Sequence, residues 1–310
     1  MRPHAPLIAG IEAGGTKFNI AVGTGPDDIR ASTRIETTDP KRTLRQVMQW
    51  LASACRKHGA IKAIGIGSFG PLDLDVESAT YGYITTTPKP DWPHTDLVGP
   101  LHARFQVPVG FDTDVNAAAI GEYAWGAGQA CDPLVYVTIG TGVGGGVLVH
   151  GKPLHGLLHP EIGHLHVPAP HTRGVIFDRC HCPFHQSCLE GFVSGPAIAA
   201  RWGIKGEEMP ADHPAWEEVA QTLAHGLVNV ILTLSPKRII IGGGVMHQAG
   251  LIDATRSHVL RQLNGYVHVP QLLQDIESYI VHPGLGDRSG VCGAIVLGIE
   301  ALHHSASEGE

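Results

Sequence analysis

Long apolar runs are missing from this chain of 310 residues. None approaches the roughly 20 residues that a membrane-spanning helix needs. The opening MRPHAPLIAGIEAGG lacks the basic start, apolar middle and cleavage site of a signal peptide. Charged residues make up only 16%, no Lys/Arg run occurs, and the net charge is −7. That balance argues against nucleic acid or a membrane surface as a partner. The P-loop pattern Gly-x-x-x-x-Gly-Lys-Ser/Thr is absent as well. What remains, at 43% hydrophobic, is the composition of a well-cored soluble protein rather than a disordered or coiled-coil one. Its length suits two domains. The cytoplasm is the expected compartment, where six cysteines serve as thiols and metal ligands rather than disulfides.

Glycine is abundant, at 40 residues, and it clusters at the ends of apolar runs. Leu7 to Ile11 reads as a strand, Gly14-Gly15-Thr16-Lys17 as a turn, and Phe18 to Val22 as a second strand. The tip of such a hairpin can offer N–H groups, a hydroxyl and an ammonium to a phosphate, or can be a plain tight turn. The pattern returns later. Leu134 to Ile139 enters Gly140-Thr141-Gly142-Val143-Gly144-Gly145-Gly146 and leaves through Val147 to Val149. A formal Gly-x-Gly-x-x-Gly lies there, but a strand follows it, so no helix N-terminus waits for a pyrophosphate. Two such devices suggest a duplicated α/β architecture that grips phosphate from both sides. A third glycine run, Gly242-Gly243-Gly244-Val245-Met246, ends the buried strand Arg238 to Ile241. It permits close approach to a nucleotide base or ribose, or makes a tight turn into a helix near His247.

Between these devices the chain alternates helix and strand. Leu44, Val47, Met48, Leu51, Ala52 and Cys55 recur at helical spacing over 41–58. Ile61 to Gly67 is a buried strand that runs into Ser68-Phe69-Gly70-Pro71, a polar turn where α/β folds favour ligand contacts. ITTTPKPDW, residues 84–92, is a proline-braced loop. The strand at 107–111 runs into Asp112-Thr113-Asp114, and a helix follows from Asn116. Asp114 at this junction can be a simple N-cap or a working carboxylate, and the residues alone leave both open. Gly195-Pro196 opens a helix ending near Trp202. A longer helix spans 216–234, a last strand 279–282 and a closing helix 291–301, with a frayed tail from Ser305 to Glu310.

The stretch from His159 to Glu190 is different in kind. Cys182-x-x-His185-x-x-Cys188, with His164 upstream, gathers thiolate and imidazole ligands in a loop that Pro168, Pro170 and Pro183 keep from being helical. That mixture suits a structural, four-coordinate Zn2+, which supplies a cross-link that the loop cannot obtain from packing. Cys180 and His181 remain spare candidates. An incidental cluster in a histidine-rich surface loop is the alternative.

Taken together, these motifs resemble the ROK family of sugar kinases, and its fructokinase branch in particular. The likeness covers nearly the whole chain. It rests on Glu12-Ala13-Gly14-Gly15-Thr16-Lys17, Ser68-Phe69-Gly70-Pro71, Thr87-Pro88-Lys89 with Trp92, and Asp114-Val115-Asn116-Ala117-Ala118. It continues through Gly140 to Gly146, Glu161-Ile162-Gly163-His164, the Cys-His-Cys loop with Leu189-Glu190-Gly191, and Gly242 to Met246. The resemblance implies an actin-like (ribonuclease H-like) α/β fold of two lobes, with ATP and sugar in the cleft. The lobes are expected at 1–122 and 123–310, the second carrying an inserted zinc loop at 159–190. It implies Mg-ATP as phosphoryl donor and a free hexose as acceptor, D-fructose going to fructose 6-phosphate. Mannose, glucose or an N-acetylhexosamine are alternative substrates, and a catalytically silent sugar sensor is an alternative function.

Residue by residue, the resemblance makes Asp114 the catalytic base. Gly70, Pro71, Thr113, Asp114, Glu161, His164 and Glu190 become the sugar site. Gly14, Gly15, Thr16, Lys17, Gly140, Thr141, Gly142, Pro196, Gly243, Gly244, Val245 and Met246 become the nucleotide site. His164 is expected to serve the zinc as well as the sugar. The expected assembly is a homodimer, with neither nucleic acid nor membrane as partner. Many relatives have Asp where Glu12 stands and Asn where Thr113 stands, and both differences resemble the fructokinase branch. The wider family more often shows a Cys-x-Cys…Cys spacing, which would recruit Cys180. Gln186-Ser187 replace the Gly-Asp usual among fructokinases.

Overall fold

The computed structural model describes residues 5–171 and 175–307. They form two compact units, one of residues 1–129 with 288–310 and one of residues 130–287. This division differs from the expected one. The boundary lies at 129/130 rather than 122/123, and the chain returns to the first unit from residue 288.

In the first unit, β1 (Ile8–Ala13), β2 (Lys17–Gly25) and β3 (Asp28–Glu36) form an antiparallel meander. Helix α1 (Pro40–His58) follows, with Asp39 as N-cap accepting from Arg42 N–H at 2.9 Å and Pro40 in the first turn, where its missing N–H costs nothing. Strand β4 (Ala63–Ser68) pairs parallel with β1. A short ribbon, β5 (Tyr83–Ile84) and β6 (Thr95–Asp96), and helix α2 (Val98–Phe105) lead to β7 (Val109–Thr113) and α3 (Asp114–Trp125). The sheet order is β3-β2-β1-β4-β7.

One face of this sheet packs Leu44, Val47 and Leu51 of α1 with Ile20, Ile66 and the fully buried Trp92. The other face is covered by the last helix, α10 (Ser289–Ser307), which lies on β1, β4 and β7 and beside α3. Its turns run unbroken through Ser305, so the tail is helical as far as Ser307. Bare backbone makes the contact possible: a Cβ on Gly65 would lie 1.7 Å from the carbonyl oxygen of Ala294, and one on Gly293 1.6 Å from that of Ala117. Gly65→Ala should therefore push α10 off the sheet and cost roughly 3 kcal/mol, the upper end of ordinary overpacking. An unchanged urea midpoint for that variant would contradict the close packing.

The second unit has its own five-stranded sheet, ordered β10-β9-β8-β11-β12. Strands β8 (Leu134–Ile139), β9 (Val143–Val149) and β10 (Lys152–Pro153) repeat the antiparallel meander of the first unit. Two short helices, α4 (Glu190–Val193) and α5 (Gly195–Trp202), precede the long α6 (Ala215–Leu234). Then come β11 (Arg238–Gly242), α7 (Leu251–Leu263), α8 (Pro270–Leu273), α9 (Ile276–Tyr279) and β12 (Ile280–Val281). The glycine run makes a 3-10 turn at Gly244–His247, and the helix expected to start near His247, α7, starts only at Leu251. Val219, Leu223, Leu227 and Val230 of α6 bury against Val135, Val137, Ile239 and Ile241 of the sheet. Among the described residues, no helix is long and apolar enough to cross a membrane.

Candidate active site and metal centre

Asp114 opens α3, but it is not the cap. Thr113 is: its side-chain oxygen accepts from Asn116 N–H at 3.1 Å, satisfying an orphan donor of the first turn. Asp114 Oδ1 accepts from the adjacent Val115 N–H at 2.9 Å, and the residue is half-buried. The role that competed with catalysis in the sequence thus falls to its neighbour. Beneath the pair, the buried Asp112 takes Thr113 N–H and Asn116 Nδ2 on Oδ1, both at 2.7 Å, which fixes the strand-to-helix corner. Gly67 lets this corner approach β4, since a Cβ there would lie 2.5 Å from Ala117 Cβ.

The turn after β4 is built in the same economical way. Phe69 N–H donates to Ala13 O at 2.9 Å, and Gly70-Pro71 is a cis peptide. Thr85 donates to Pro71 O through its N–H at 2.8 Å and its hydroxyl at 3.0 Å. Phe69 meets Trp92 edge-on at 5.4 Å, and Trp92 Nε1 donates to Thr38 O at 2.8 Å. The proline-braced loop is thereby tied to the turn that carries Gly70 and Pro71. The Gly14–Lys17 turn is closed by Gly14 N–H to Lys17 O at 3.0 Å and strapped by Thr37, which donates to Thr16 O and, through its hydroxyl, to Gly14 O. Nothing stands within 4 Å of where a Gly15 Cβ would be, so its backbone is open to a ligand. Glu12 accepts from Asn19 Nδ2 at 2.9 Å and lies against Gly290, where a Cβ would fall 2.5 Å from Glu12 Cδ.

In the second unit three glycine devices gather beyond the C-terminal ends of β8 and β11. Gly140 N–H donates to Gly142 O, and Gly195 N–H donates to Gly140 O, both at 2.8 Å, which places Pro196 beside the Gly140–Gly142 turn. Gly243 has a φ of 93°, and a Cβ on it would lie 2.3 Å from Ile139 O, so glycine is required there. A Cβ on Gly244 would meet only open space, whereas the Met246 side chain is buried in the core and leaves its backbone alone for a ligand.

Glu190, expected in the sugar set, reaches the Gly140–Gly142 turn expected in the nucleotide set. Its Oε2 accepts from Val143 N–H at 2.9 Å, and a Cβ on Gly142 would approach the same oxygen to 2.9 Å. Glu161 Oε1 lies 3.3 Å from Nδ1 of the buried His159. Withdrawal of solvent raises the Glu161 carboxyl above its ordinary range, and the like charge of Glu190 adds to the shift. The turn carrying Glu161 and His164 sits on β9 because Gly163 has no side chain: a Cβ there would lie 1.9 Å from Val143 O. Gly70, Pro71, Thr113 and Asp114 fall in the first unit, and Glu161, His164 and Glu190 in the second.

The donor atoms of His164, Cys182, His185 and Cys188 all lie within 4.8 Å of one another. Cys182 Sγ is 3.4 Å from His185 Nδ1 and 4.0 Å from His164 Nδ1. Ligands of a tetrahedral zinc stand about 3.3–3.8 Å apart, given bonds of about 2.0–2.3 Å, so this set needs little adjustment to close on an ion. Cys180 Sγ lies 3.8 Å from Cys188 Sγ and packs over Gly191, where a Cβ would come within 2.0 Å of it. Burial pushes the Cys188 thiol up to about 12. A divalent cation at the cluster is what would reverse that. The loop is fastened by Leu189 N–H to Leu165 O at 3.0 Å and Ser187 Oγ to Val167 O at 2.5 Å.

A second fastening escaped the sequence. Arg201, only 2% exposed, pairs with Glu218 of α6 through Nε and Nη2, and donates to Pro170 O and Phe177 O at 3.1 Å each. Its own carbonyl accepts from Ile176 N–H at 2.8 Å. The only signal was Arg201 at the end of an apolar helix and Glu217-Glu218 at the start of a mostly apolar one. Arg201→Met leaves Glu218 buried and unpaired, and should cost about 3–5 kcal/mol. Thermal unfolding checks this, and a loss under about 1 kcal/mol contradicts it.

A model of the ROK family matches residues 8–301. The chain is 45% identical to a fructokinase of Zymomonas mobilis over 97% of its own length and 99% of that protein. It is 39% identical to a fructokinase of Pediococcus pentosaceus, covering 96% of this chain and 100% of the relative. Among solved structures it is similar to a ROK family glucokinase of Streptomyces griseus in complex with glucose and AMPPNP, at 26% identity and a TM-score of 0.74. That likeness covers 95% of this chain and 99% of the other.

Proposed function

We propose, from the premise that this chain belongs to the ROK family, that it phosphorylates D-fructose with ATP to give fructose 6-phosphate. One observation carries the choice of sugar: near-complete overlap, at 39–45% identity, with proteins named fructokinase. Glucose, by contrast, is the sugar in the more distant relative from Streptomyces griseus.

In this reading Asp114 accepts the proton of the sugar's 6-hydroxyl as that oxygen attacks the γ-phosphorus of Mg-ATP. The bond to the bridging oxygen breaks and ADP leaves. What supports Asp114 is that Thr113 already fills the capping role and Asp112 stiffens the corner below. The turns at Gly14–Lys17 and Gly140–Gly142 present backbone N–H groups to the phosphates, and Gly243–Met246 receives the adenosine. Glu161, His164 and Glu190 bind sugar hydroxyls. A structural Zn2+ is held by His164, Cys182, His185 and Cys188, and it keeps His164 and the neighbouring carboxylates in register with the sugar.

ADP release measured over a panel of hexoses with Mg-ATP tests the assignment. Fructose should give the highest kcat/KM. A higher value for mannose, glucose or an N-acetylhexosamine would move the substrate, and sugar binding without turnover would make the chain a sensor.

A further inference from the structure

A cavity of about 490 Å³ opens in the first unit between β3 and α1, lined by Arg34, Thr38, Arg42, Gln46, Gln49 and Trp50. Beyond Gln49 a second hollow continues past Arg45, Arg56 and Arg104. Of these residues only Thr38, whose carbonyl accepts from Trp92, touches the site described above. Helix α1 carries Lys41, Arg42, Arg45, Arg56 and Lys57 and not one Asp or Glu, within a chain of net charge −7.

Four of these arginines also leave their guanidinium groups unpaired. Arg30, Arg201 and Arg256 pair with carboxylates, and Arg238 and Arg288 donate to carbonyls. Among the described residues, the guanidinium groups of Arg34, Arg42, Arg45 and Arg56 make no hydrogen bond or ion pair. Guanidinium groups left unpaired on one face repel one another, and a bound anion relieves that repulsion. Glu36, the carboxylate at the cavity, stands opposite Lys17 in the β2–β3 register.

We propose that this cavity is a second ligand site, for a phosphate ester carrying hydroxyl groups. Arg34 and Arg42 offer forked donors to the phosphate, as guanidinium groups do to phosphate generally. The amides of Gln46 and Gln49 and the hydroxyl of Thr38 match the hydroxyls, and the indole of Trp50 offers a flat apolar face to a sugar ring or a base. Sugar phosphates and nucleoside monophosphates share this chemistry.

Occupancy reaches the Gly14–Lys17 turn through Thr37, which lies between the cavity residues Glu36 and Thr38. Thr37 donates its N–H to Thr16 O at 3.0 Å and its hydroxyl to Gly14 O at 2.8 Å. This coupling rests on reading that turn as a nucleotide phosphate loop, whereas the binding itself does not.

The test titrates the full chain calorimetrically with fructose 6-phosphate, AMP or inorganic phosphate, with AMPPNP and fructose present to occupy the kinase site. The comparison is the R34A/R42A double variant, whose substitutions are at exposed positions. One equivalent of an ester should bind the native chain, and the double variant should bind it at least about tenfold more weakly with kcat unchanged. Tighter binding of fructose 6-phosphate assigns the site to sugar phosphates, and tighter binding of AMP assigns it to nucleotides. Failure of both esters to bind, equal affinity in the double variant, or inorganic phosphate binding as tightly as either ester overturns the proposal. A chain that turns over no hexose but still loses ester binding in the double variant sinks the kinase reading and keeps this site. Thr37→Val should retain ester binding while abolishing its effect on the KM for ATP, and an unchanged effect overturns the coupling.

Discussion

Asp114→Asn should fold, bind fructose with little change in affinity, and lose roughly a thousandfold in kcat, within the 10²–10⁴ typical of a positioned general base. The amide keeps the shape of the side chain and can still accept from Val115 N–H, a bond of 2.9 Å in the native chain. Thr113 continues to cap α3, so the helix has no reason to fray. What is lost is the capacity to take a proton. Thermal unfolding should stay within about 1 kcal/mol of the native protein, as for most substitutions that touch no core contact. A variant that keeps native kcat would reduce Asp114 to an ordinary first-turn residue. The companion variant Thr113→Val should show the opposite profile, costing about 1 kcal/mol of stability through the lost cap.

Cys188→Ser should abolish zinc binding and raise the KM for fructose steeply, with a smaller effect on the KM for ATP. The residue is fully buried and lies in the cluster with His164, Cys182 and His185. Without the ion, the segment from His164 to Cys188 loses its cross-link, and Glu161, His164 and Glu190 lose their fixed spacing. A strong chelator should reproduce the effect in the native chain, faster at lower pH because protons compete for the thiolates and imidazoles. Elemental analysis decides the matter first: the native chain should carry about one zinc, the stoichiometry of a single structural site. A zinc-free but fully active chain, or a Cys188→Ser variant with native zinc content, would sink the metal assignment. Cys180→Ser separates the two ligand sets, since it should leave the zinc content intact.

Several of these features could be read from the residues because the pattern and the physics coincide locally. The meanders around Gly14 and Gly140 alternate apolar runs with glycine, and α1 repeats its apolar residues at helical spacing. Strand β3 was not visible beforehand. It is an edge strand with no fully buried residue, and only the small or half-buried Ile29, Ala31, Thr33 and Ile35 mark its inner face between mostly charged positions. Helix α2 was missed for a similar reason, since it begins Val98-Gly99-Pro100 and has no side-chain cap. At the corner between β7 and α3 two neighbouring polar residues competed for one cap, and only side-chain geometry separates Thr113 from Asp114. The histidine–cysteine cluster was visible by type, yet the Arg201–Glu218 fastening joins residues 17 apart with no shared motif. Nor did the apolar pattern of α10 name its partner. The match between its glycines and the bare backbone of Gly65 exists only in three dimensions.

That last helix has a consequence for the order in which the protein is made. The ribosome delivers β1 before residues 130–287 and α10 only after them, so the whole second unit is synthesised between these two elements of the first. The second unit is contiguous, so it can fold as soon as it emerges. The first cannot close, because Gly10, Gly65 and Gly110 expose a sheet face whose intended cover is α10. Domains ordinarily fold in order from the N-terminus during synthesis. Here the unit that is begun first is the unit completed last, and until its final helix arrives it depends on whatever else in the cell will shield an open sheet.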